Sequence, residues 1–205
     1  EGYQEGVSAG TFAANLSTAL ASGMLFLSQQ QLSTLVSLYP YSQYSLPYPY
    51  FAISTPVTDF NVRCPNMRLA RMIASVAQNP NVFVFQFAYP PRDNGFWIFE
   101  NIDLGVYHGA EIPFVFGTGG VVLPWNSAES QLSNLVMKTW TNFFATRTMP
   151  ASWSPVPTTA TLSTNITTGQ FVLASGVPQI QYLLNLNSPQ CSAFWDTLPF
   201  ISPFP

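Results

Sequence analysis

The chain has 205 residues, 47% of them hydrophobic and 15% aromatic, so it can bury a domain core and is not a disordered segment. Charged residues make up only 7%, against about 25% in an average soluble domain. The net charge is −3 and Lys138 is the single lysine, which argues against nucleic acids and anionic membrane surfaces as partners. No apolar run approaches the roughly 20 residues that span a bilayer.

Helical spacing, strand-forming runs and turn residues divide the chain into predicted elements. Helical patterns cover residues 13–37, 58–78, 127–146 and 188–198. Strand patterns cover residues 81–88 and 169–174. Loops or irregular segments are predicted at residues 1–12, 41–57 and 147–168.

The strand at residues 81–88, with the sequence NVFVFQFA, has the composition of a strand buried on both faces of a mostly parallel sheet. A helix, a buried strand, a histidine loop and another helix in succession predict the tail of an open α/β sheet. Two strand signals are too few for a complete doubly wound sheet. We therefore expect the chain to be part of a larger fold.

Two cysteines and two glycosylation sequons favour the secretory route. Cys64 and Cys191 lie far apart, and no further ligand stands near them at metal spacing, which argues against a zinc site. Asn15 and Asn165 begin Asn-Leu-Ser and Asn-Ile-Thr sequons and are candidate glycosylation sites. We expect a secreted, extracellular glycoprotein. The chain begins at Glu1 without a signal peptide, so we expect a mature or processed piece.

His108 is the only histidine in the sequence. A lone histidine is commonly a hydrogen-bonded core residue, and that reading stays open on composition alone. The surroundings favour a functional role, because Gly105 and Gly109 permit a tight loop that a partner can approach closely. The loop also follows the predicted buried strand, where open α/β sheets place catalytic and ligand-binding groups.

The run Gly105-Val106-Tyr107-His108-Gly109-Ala110-Glu111-Ile112-Pro113-Phe114-Val115-Phe116-Gly117 resembles the catalytic-histidine block of the carboxylesterase/cholinesterase family. Further similarities occur in the family's order: the strand NVFVFQFA before the block, the segments around the two cysteines, and the aromatic residues of the next helix and loop. The cysteine segments are Asp59-Phe60-Asn61-Val62-Arg63-Cys64-Pro65 and Cys191-Ser192-Ala193-Phe194-Trp195. The aromatic residues are Trp140, Phe143 and Phe144 in the predicted helix and Trp153 in the loop after it.

The resemblance implies the C-terminal portion of a single α/β-hydrolase catalytic domain over residues 1–205, a mostly parallel sheet flanked by helices and incomplete without an upstream segment. It implies a Ser-Glu-His triad that includes His108, with Glu1 as the acid and Glu5 as its rival. Glu111 matches a supporting glutamate, and Gly109 leaves the imidazole edge accessible. The resemblance also implies a disulfide between the two cysteines, and neither a metal nor a cofactor.

Gly6-Val7-Ser8-Ala9-Gly10 matches the Gly-x-Ser-x-Gly pattern of a nucleophile elbow. That elbow needs a strand before it, and the preceding residues EGYQE do not form one. The separation of 100 residues between Ser8 and His108 is also too short for this family (108 − 8). We therefore expect the nucleophilic serine on an upstream segment or a second chain, and not at Ser8.

The resemblance therefore implies a serine carboxylic-ester hydrolase that acts on a small ester or lipid and works only with its upstream part. The alternative is a catalytically inactive cholinesterase-like protein used for adhesion or assembly. In either case we expect the upstream segment to pack over residues 81–88 through a large apolar interface above about 2,000 Å².

Overall fold

The computed structural model describes residues 8–44, 50–92, 105–119, 124–184 and 189–198. Seven α-helices lie in these ranges: α1 (Phe12–Ser22), α2 (Gln29–Leu38), α3 (Phe51–Thr58), α4 (Cys64–Val76), α5 (Ile112–Phe116), α6 (Ser127–Thr146) and α7 (Pro189–Ala193). A π-helical segment, Asp59–Arg63, connects α3 to α4, and short 3₁₀ helices cover Tyr41–Tyr44 and Trp195–Thr197. Three strands lie in the same ranges: β1 (Val84–Phe87), β2 (Thr167–Ala174) and β3 (Val177–Leu184).

The chain divides into two compact units. Residues 1–69 and 187–205 form one unit, and residues 70–186 form the other. The second unit contains the three strands, the His108 loop and α6. No helix among the described residues is both long and apolar enough to cross a membrane.

The sheet has the order β1-β2-β3, with β1 parallel to β2 and β2 antiparallel to β3. The parallel pair agrees with the predicted α/β architecture, whereas the β2-β3 hairpin was not predicted. Its turn residues, Ser175 and Gly176, have φ values of 51° and 77°, as a two-residue type I′ turn requires. A Ser-Gly dipeptide between two apolar runs is a recognisable hairpin signal, and it extends the predicted strand 169–174 to Thr167–Ala174.

The strand predicted at residues 81–88 is shorter than expected, and neither of its faces is completely buried within this chain. The strand is confined to Val84–Phe87. One face carries Phe87, 8% exposed, and Phe85, 43% exposed. The other face carries Gln86, whose side-chain oxygen accepts a hydrogen bond from Gln170 at 2.8 Å. A glutamine pair satisfies its polar atoms at a half-buried surface, which is why this face is not a dry core.

Trp153 is central to the core of the sheet-containing unit. It is 2% exposed, and its indole nitrogen donates a hydrogen bond to the carbonyl of Val84 at 3.1 Å. Its ring lies over β2 at Gly169, where an added Cβ would approach Trp153 Cζ2 to 2.4 Å. Rings of Phe171 and Tyr182 lie 6.2 and 6.1 Å away between centroids. Gly169 therefore makes room for the indole that packs against this sheet face.

The other unit is built around a disulfide between Cys64 and Cys191, as the family resemblance implies. The Trp195 indole donates to the Tyr39 hydroxyl at 2.7 Å, and that hydroxyl donates to Asp59 at 2.6 Å. Asp59, 1% exposed, also forms an ion pair with Arg63. Burial and the neighbouring Asp59 raise the pKa of the Tyr39 hydroxyl. Trp195, Tyr39 and Asp59, which are distant in sequence, thus share one buried polar network.

Two predictions in this unit need correction. The pattern over residues 13–37 forms two helices, because Met24 has a φ of 63° and Ser28 starts α2 through a reciprocal capping box with Gln31. Residues 41–57, predicted as irregular, include the helix Phe51–Thr58. This helix continues through Asp59–Arg63 into α4, which ends at Val76 within the predicted helix 58–78. The short C-terminal elements fall within the predicted helix 188–198.

Candidate active site

His108 lies at the tip of a tight turn. The Ala110 N–H donates to the Tyr107 carbonyl at 3.1 Å, which places His108 and Gly109 at the two central positions. Gly109 has a φ of 85°, the value of the third residue in a type II turn, and such a φ favours glycine. Gly105, before the turn, has a φ of 60°. The two glycines allow the turn, and the His108 side chain is exposed at its tip.

Glu111 and Gly109, the two neighbours of His108 singled out in the sequence, have different environments. Glu111 is half-buried and precedes α5 without capping it through its side chain. The His108 ring and the Glu111 carboxylate make no hydrogen bond to any other described residue. A Cβ at Gly109 would lie 3.4 Å from Ile112 Cδ1, and it would also force a side chain into the left-handed region. Gly109 therefore keeps the turn unstrained beside the imidazole.

The turn leads directly into α5, which packs on α6 through Phe114. Phe114 is 1% exposed, and its ring stacks on Trp125 with centroids 4.6 Å apart. The rings of Phe87 and Tyr89, from β1 and the residues after it, lie 4.9 and 5.8 Å away. The buried hydroxyl of Ser133 in α6 donates to the Phe114 carbonyl at 2.9 Å. The histidine block is thus anchored by one aromatic cluster and one buried hydrogen bond, neither of which we anticipated from the sequence.

Ser8 is exposed and takes part in a local turn. Its hydroxyl lies 3.1 Å from Thr11 Oγ1, and its N–H donates to the same oxygen at 2.9 Å. Such Ser/Thr turns are common before helices, and α1 begins at Phe12. The two candidate acids, Glu1 and Glu5, lie outside the described residues. Among the described residues, no three His, Cys, Asp or Glu side chains are grouped so that they could hold a metal ion.

The sequence matches the model of the family described as "Carboxylesterase family" over residues 38–188, which include His108. The chain belongs to the carboxylesterase family. It is also 29% identical over 151 residues to a mouse (Mus musculus) protein named "Cholinesterase". That similarity covers 70% of this chain and 22% of the mouse protein, so the chain spans about a fifth of this relative.

Family membership and the mixed sheet agree with the α/β fold class predicted from the sequence. The family match also includes Glu111 and Cys64, and it ends before Cys191. It does not reach Glu1, Glu5 or Ser8. The identity of the triad acid therefore stays a prediction.

A buried carboxylate that we did not predict lies one helical turn before Ser133. Glu129 is 2% exposed and accepts hydrogen bonds from the Tyr89 hydroxyl at 2.8 Å and from Arg92 Nη2 at 2.7 Å. It also accepts from the Asn126 N–H at 2.9 Å, as part of the capping box that starts α6. Asn126 followed three residues later by Glu129 is a recognisable capping signal. The pairing with Tyr89 and Arg92 is a tertiary contact that no local pattern indicates.

The surroundings lower the pKa of Glu129 and raise the pKa of Tyr89. Burial raises the pKa of the Glu129 carboxyl, but hydrogen bonds from Arg92, the Asn126 N–H and Tyr89 outweigh it and hold the pKa below 4.5. Burial and the hydrogen bond to Glu129 raise the pKa of the Tyr89 hydroxyl to about 12. Near neutral pH, Glu129 is therefore an ionised acceptor and Tyr89 a neutral donor.

We expect Glu129→Gln to make stability less dependent on acid pH. A carboxyl whose pKa is lowered by folding stabilises the protein above its unfolded value, 4.5, and loses that contribution as the pH falls through the folded value. At pH 7 the variant should lose about 1–3 kcal/mol of unfolding free energy. The difference from wild type should shrink below about pH 4. Urea denaturation at several pH values measures both effects.

Glu111→Gln is the matched control for this experiment, since the Glu111 carboxylate has no hydrogen bond among the described residues. Its unfolding free energy should stay within about 0.5 kcal/mol of wild type at each pH. A Glu129→Gln deficit that is equally large at about pH 3 and at pH 7 would show that the ionised carboxylate is not the source of the effect.

The two glycosylation sequons lie in different local structures. Asn15 is half-buried within α1, and its amide nitrogen donates to Thr11 Oγ1 at 3.4 Å. Asn165 is exposed in the loop that leads to β2. Modification of either residue stays a prediction from the sequence.

Proposed function

We propose that this chain is the C-terminal portion of the catalytic domain of a serine carboxylic-ester hydrolase, in which His108 is the general base. The observation that carries the proposal is the position of His108. It is exposed at the tip of a turn that depends on the φ of 85° at Gly109, inside the segment matched by the carboxylesterase family. An accessible imidazole edge is what proton transfer to and from a bound substrate requires.

In the proposed reaction, His108 accepts the proton of a serine hydroxyl as that oxygen attacks the ester carbonyl. The imidazolium then donates the proton to the departing alcohol oxygen. Water attacks the acyl-enzyme by the same route in reverse, and the acid and the free serine are released. We propose Glu1 as the carboxylate that fixes the imidazole tautomer and stabilises the imidazolium, with Glu5 as the rival.

We place the nucleophilic serine outside these 205 residues. The Ser8 hydroxyl already takes part in a local turn with Thr11, at 3.1 Å. The chain corresponds to 22% of the mouse cholinesterase, which leaves most of such a protein for the rest of the site. We propose that this further part covers β1, where Phe85 is 43% exposed, through an interface above about 2,000 Å².

We propose a small ester or lipid as the substrate and secretion as the route of the protein. Secretion is supported by the disulfide Cys64–Cys191, which needs an oxidising compartment to persist. Both sequons agree with that compartment.

A fluorophosphonate probe tests the proposal on the full-length protein that contains this chain, alongside turnover of p-nitrophenyl butyrate. We expect one labelled serine, mapped by mass spectrometry outside the 205 residues, and hydrolysis that stops in proportion to labelling. Ser8→Ala is the control: the variant should be labelled by the probe and should hydrolyse p-nitrophenyl butyrate as wild type does.

Two outcomes would contradict the proposal. A label on Ser8 would move the nucleophile into this chain and overturn the proposed location of the serine. A full-length protein that neither labels nor hydrolyses esters would favour the inactive, cholinesterase-like alternative.

A further inference from the structure

The hydrogen bond from Ser133 to the carbonyl of Phe114 links α6 to the block that carries His108. Ser133 is 1% exposed, and the bond is 2.9 Å long and buried. The last carbonyls of a helix have no partner within it. Thr118 N–H bonds the carbonyl of Pro113, so the Ser133 hydroxyl is the partner that the structure provides for the Phe114 carbonyl at the end of the short α5.

A series of backbone hydrogen bonds leads from Phe114 back to the turn of His108. The Phe114 N–H donates to Glu111 at 3.0 Å, the Ile112 N–H to Gly109 at 3.0 Å, and the Ala110 N–H to Tyr107 at 3.1 Å. The bonds overlap along the chain, so each turn shares residues with the next. The overlapping bonds thus connect Phe114, whose carbonyl accepts from Ser133, to the backbone of the His108 turn.

His108 itself contributes little to its own position, because its side chain is exposed and has no hydrogen bond among the described residues. The turn is instead held by buried residues beyond it: Ala110 is 0% and Phe114 1% exposed. Helix α6 is held in turn, because Glu129, four residues before Ser133, accepts a hydrogen bond from Tyr89, two residues after the end of β1. Residues four apart lie on the same face of a helix.

We propose that Ser133 is a positioning residue for His108, acting through the Phe114 carbonyl. The role in catalysis rests on the proposed function, whereas the positioning of the imidazole does not. A triad needs its groups within about 0.5 Å of the productive geometry. A misplacement of about 1 Å can cost a factor of about 100 in rate.

The test uses Ser133→Ala in the full-length protein. We expect kcat for p-nitrophenyl butyrate to fall about 10- to 100-fold with KM within about twofold, since substrate binding is untouched and only the proton-transfer geometry changes. Ser133→Cys keeps a donor at this position, although a weaker one on a larger sulfur atom, and should be intermediate. Ser130→Ala is the matched control, because its exposed hydroxyl bonds the carbonyl of Asn126, at 3.0 Å; this variant should keep the wild-type kcat.

A second readout reports on the imidazole without any turnover. With ¹³C-labelled histidine, the His108 ring signal is assigned by its loss in His108→Gln. It should move or broaden in Ser133→Ala and stay in place in Ser130→Ala. All variants are compared well below their melting temperatures, so that unfolding does not enter.

An unchanged ring signal together with an unchanged kcat would overturn the inference. If the protein proves not to hydrolyse esters, the proposed function fails and the ring signal alone decides. A moved signal then upholds the positioning role, and an unmoved one rejects it. A fall in kcat with an unmoved signal, or a rise in KM alone, would also reject it.

Discussion

His108→Gln should lower kcat for ester hydrolysis by the full-length protein at least about 10³-fold. Glutamine keeps a polar side chain at the tip of the turn, but it cannot accept and return the serine proton. Because the His108 side chain is exposed and makes no hydrogen bond among the described residues, the unfolding free energy should change by less than about 0.5 kcal/mol. Steady-state kinetics and thermal denaturation of the same preparation measure the two effects.

Glu1→Gln and Glu5→Gln complete this experiment, since they separate the two candidate acids. We expect Glu1→Gln to lower kcat by a large factor that is smaller than that of His108→Gln, because the imidazole retains some activity without its oriented tautomer. Glu5→Gln should have little effect. If Glu5→Gln abolishes activity and Glu1→Gln does not, the triad acid is Glu5 of the second Glu-Gly pair and not Glu1. If His108→Gln retains near-normal turnover, His108 is not the base.

Replacing both disulfide cysteines, as Cys64→Ala with Cys191→Ala, should destabilise the protein strongly. The bond joins residues 127 positions apart. The chain-entropy treatment gives about 4–5 kcal/mol for a loop of this length. Both cysteines are 0% exposed, so the double variant also loses apolar contacts in the core around Trp195. Urea denaturation should show a midpoint well below that of wild type and a slope at least as steep, because the unfolded chain without the cross-link is less compact and exposes more surface.

Peptide mapping under denaturing, non-reducing conditions checks the bond itself. We expect one cross-linked species that contains Cys64 and Cys191, and no alkylation of either thiol before reduction. Alkylation of both thiols without a reductant would show that the bond is absent from the protein. A double variant as stable as wild type would show that the bond forms but does not support the fold.

The sequence determined the elements whose signals are local. Helix α6 spans Ser127–Thr146, as predicted, because apolar residues recur at helical spacing and Asn126 caps the first turn. The turn at His108 was also readable, since a glycine directly after the histidine supplies the positive φ that the turn needs. The family was recognisable from the string around His108, and the match over residues 38–188 confirms it.

The tertiary structure decided the features that depend on partners distant in sequence. Whether β1 is buried on both faces depends on which segments cover it, and composition cannot report that; Phe85 and Gln86 show the difference. The carboxylate of Glu129 meets Tyr89, 40 residues away, and the hydroxyl of Ser133 meets Phe114, 19 residues away. Hydroxyls and carboxylates of this kind look like ordinary helix-surface residues in a sequence. Only packing removes them from water, and a buried polar group must then find a hydrogen-bond partner wherever the fold provides one.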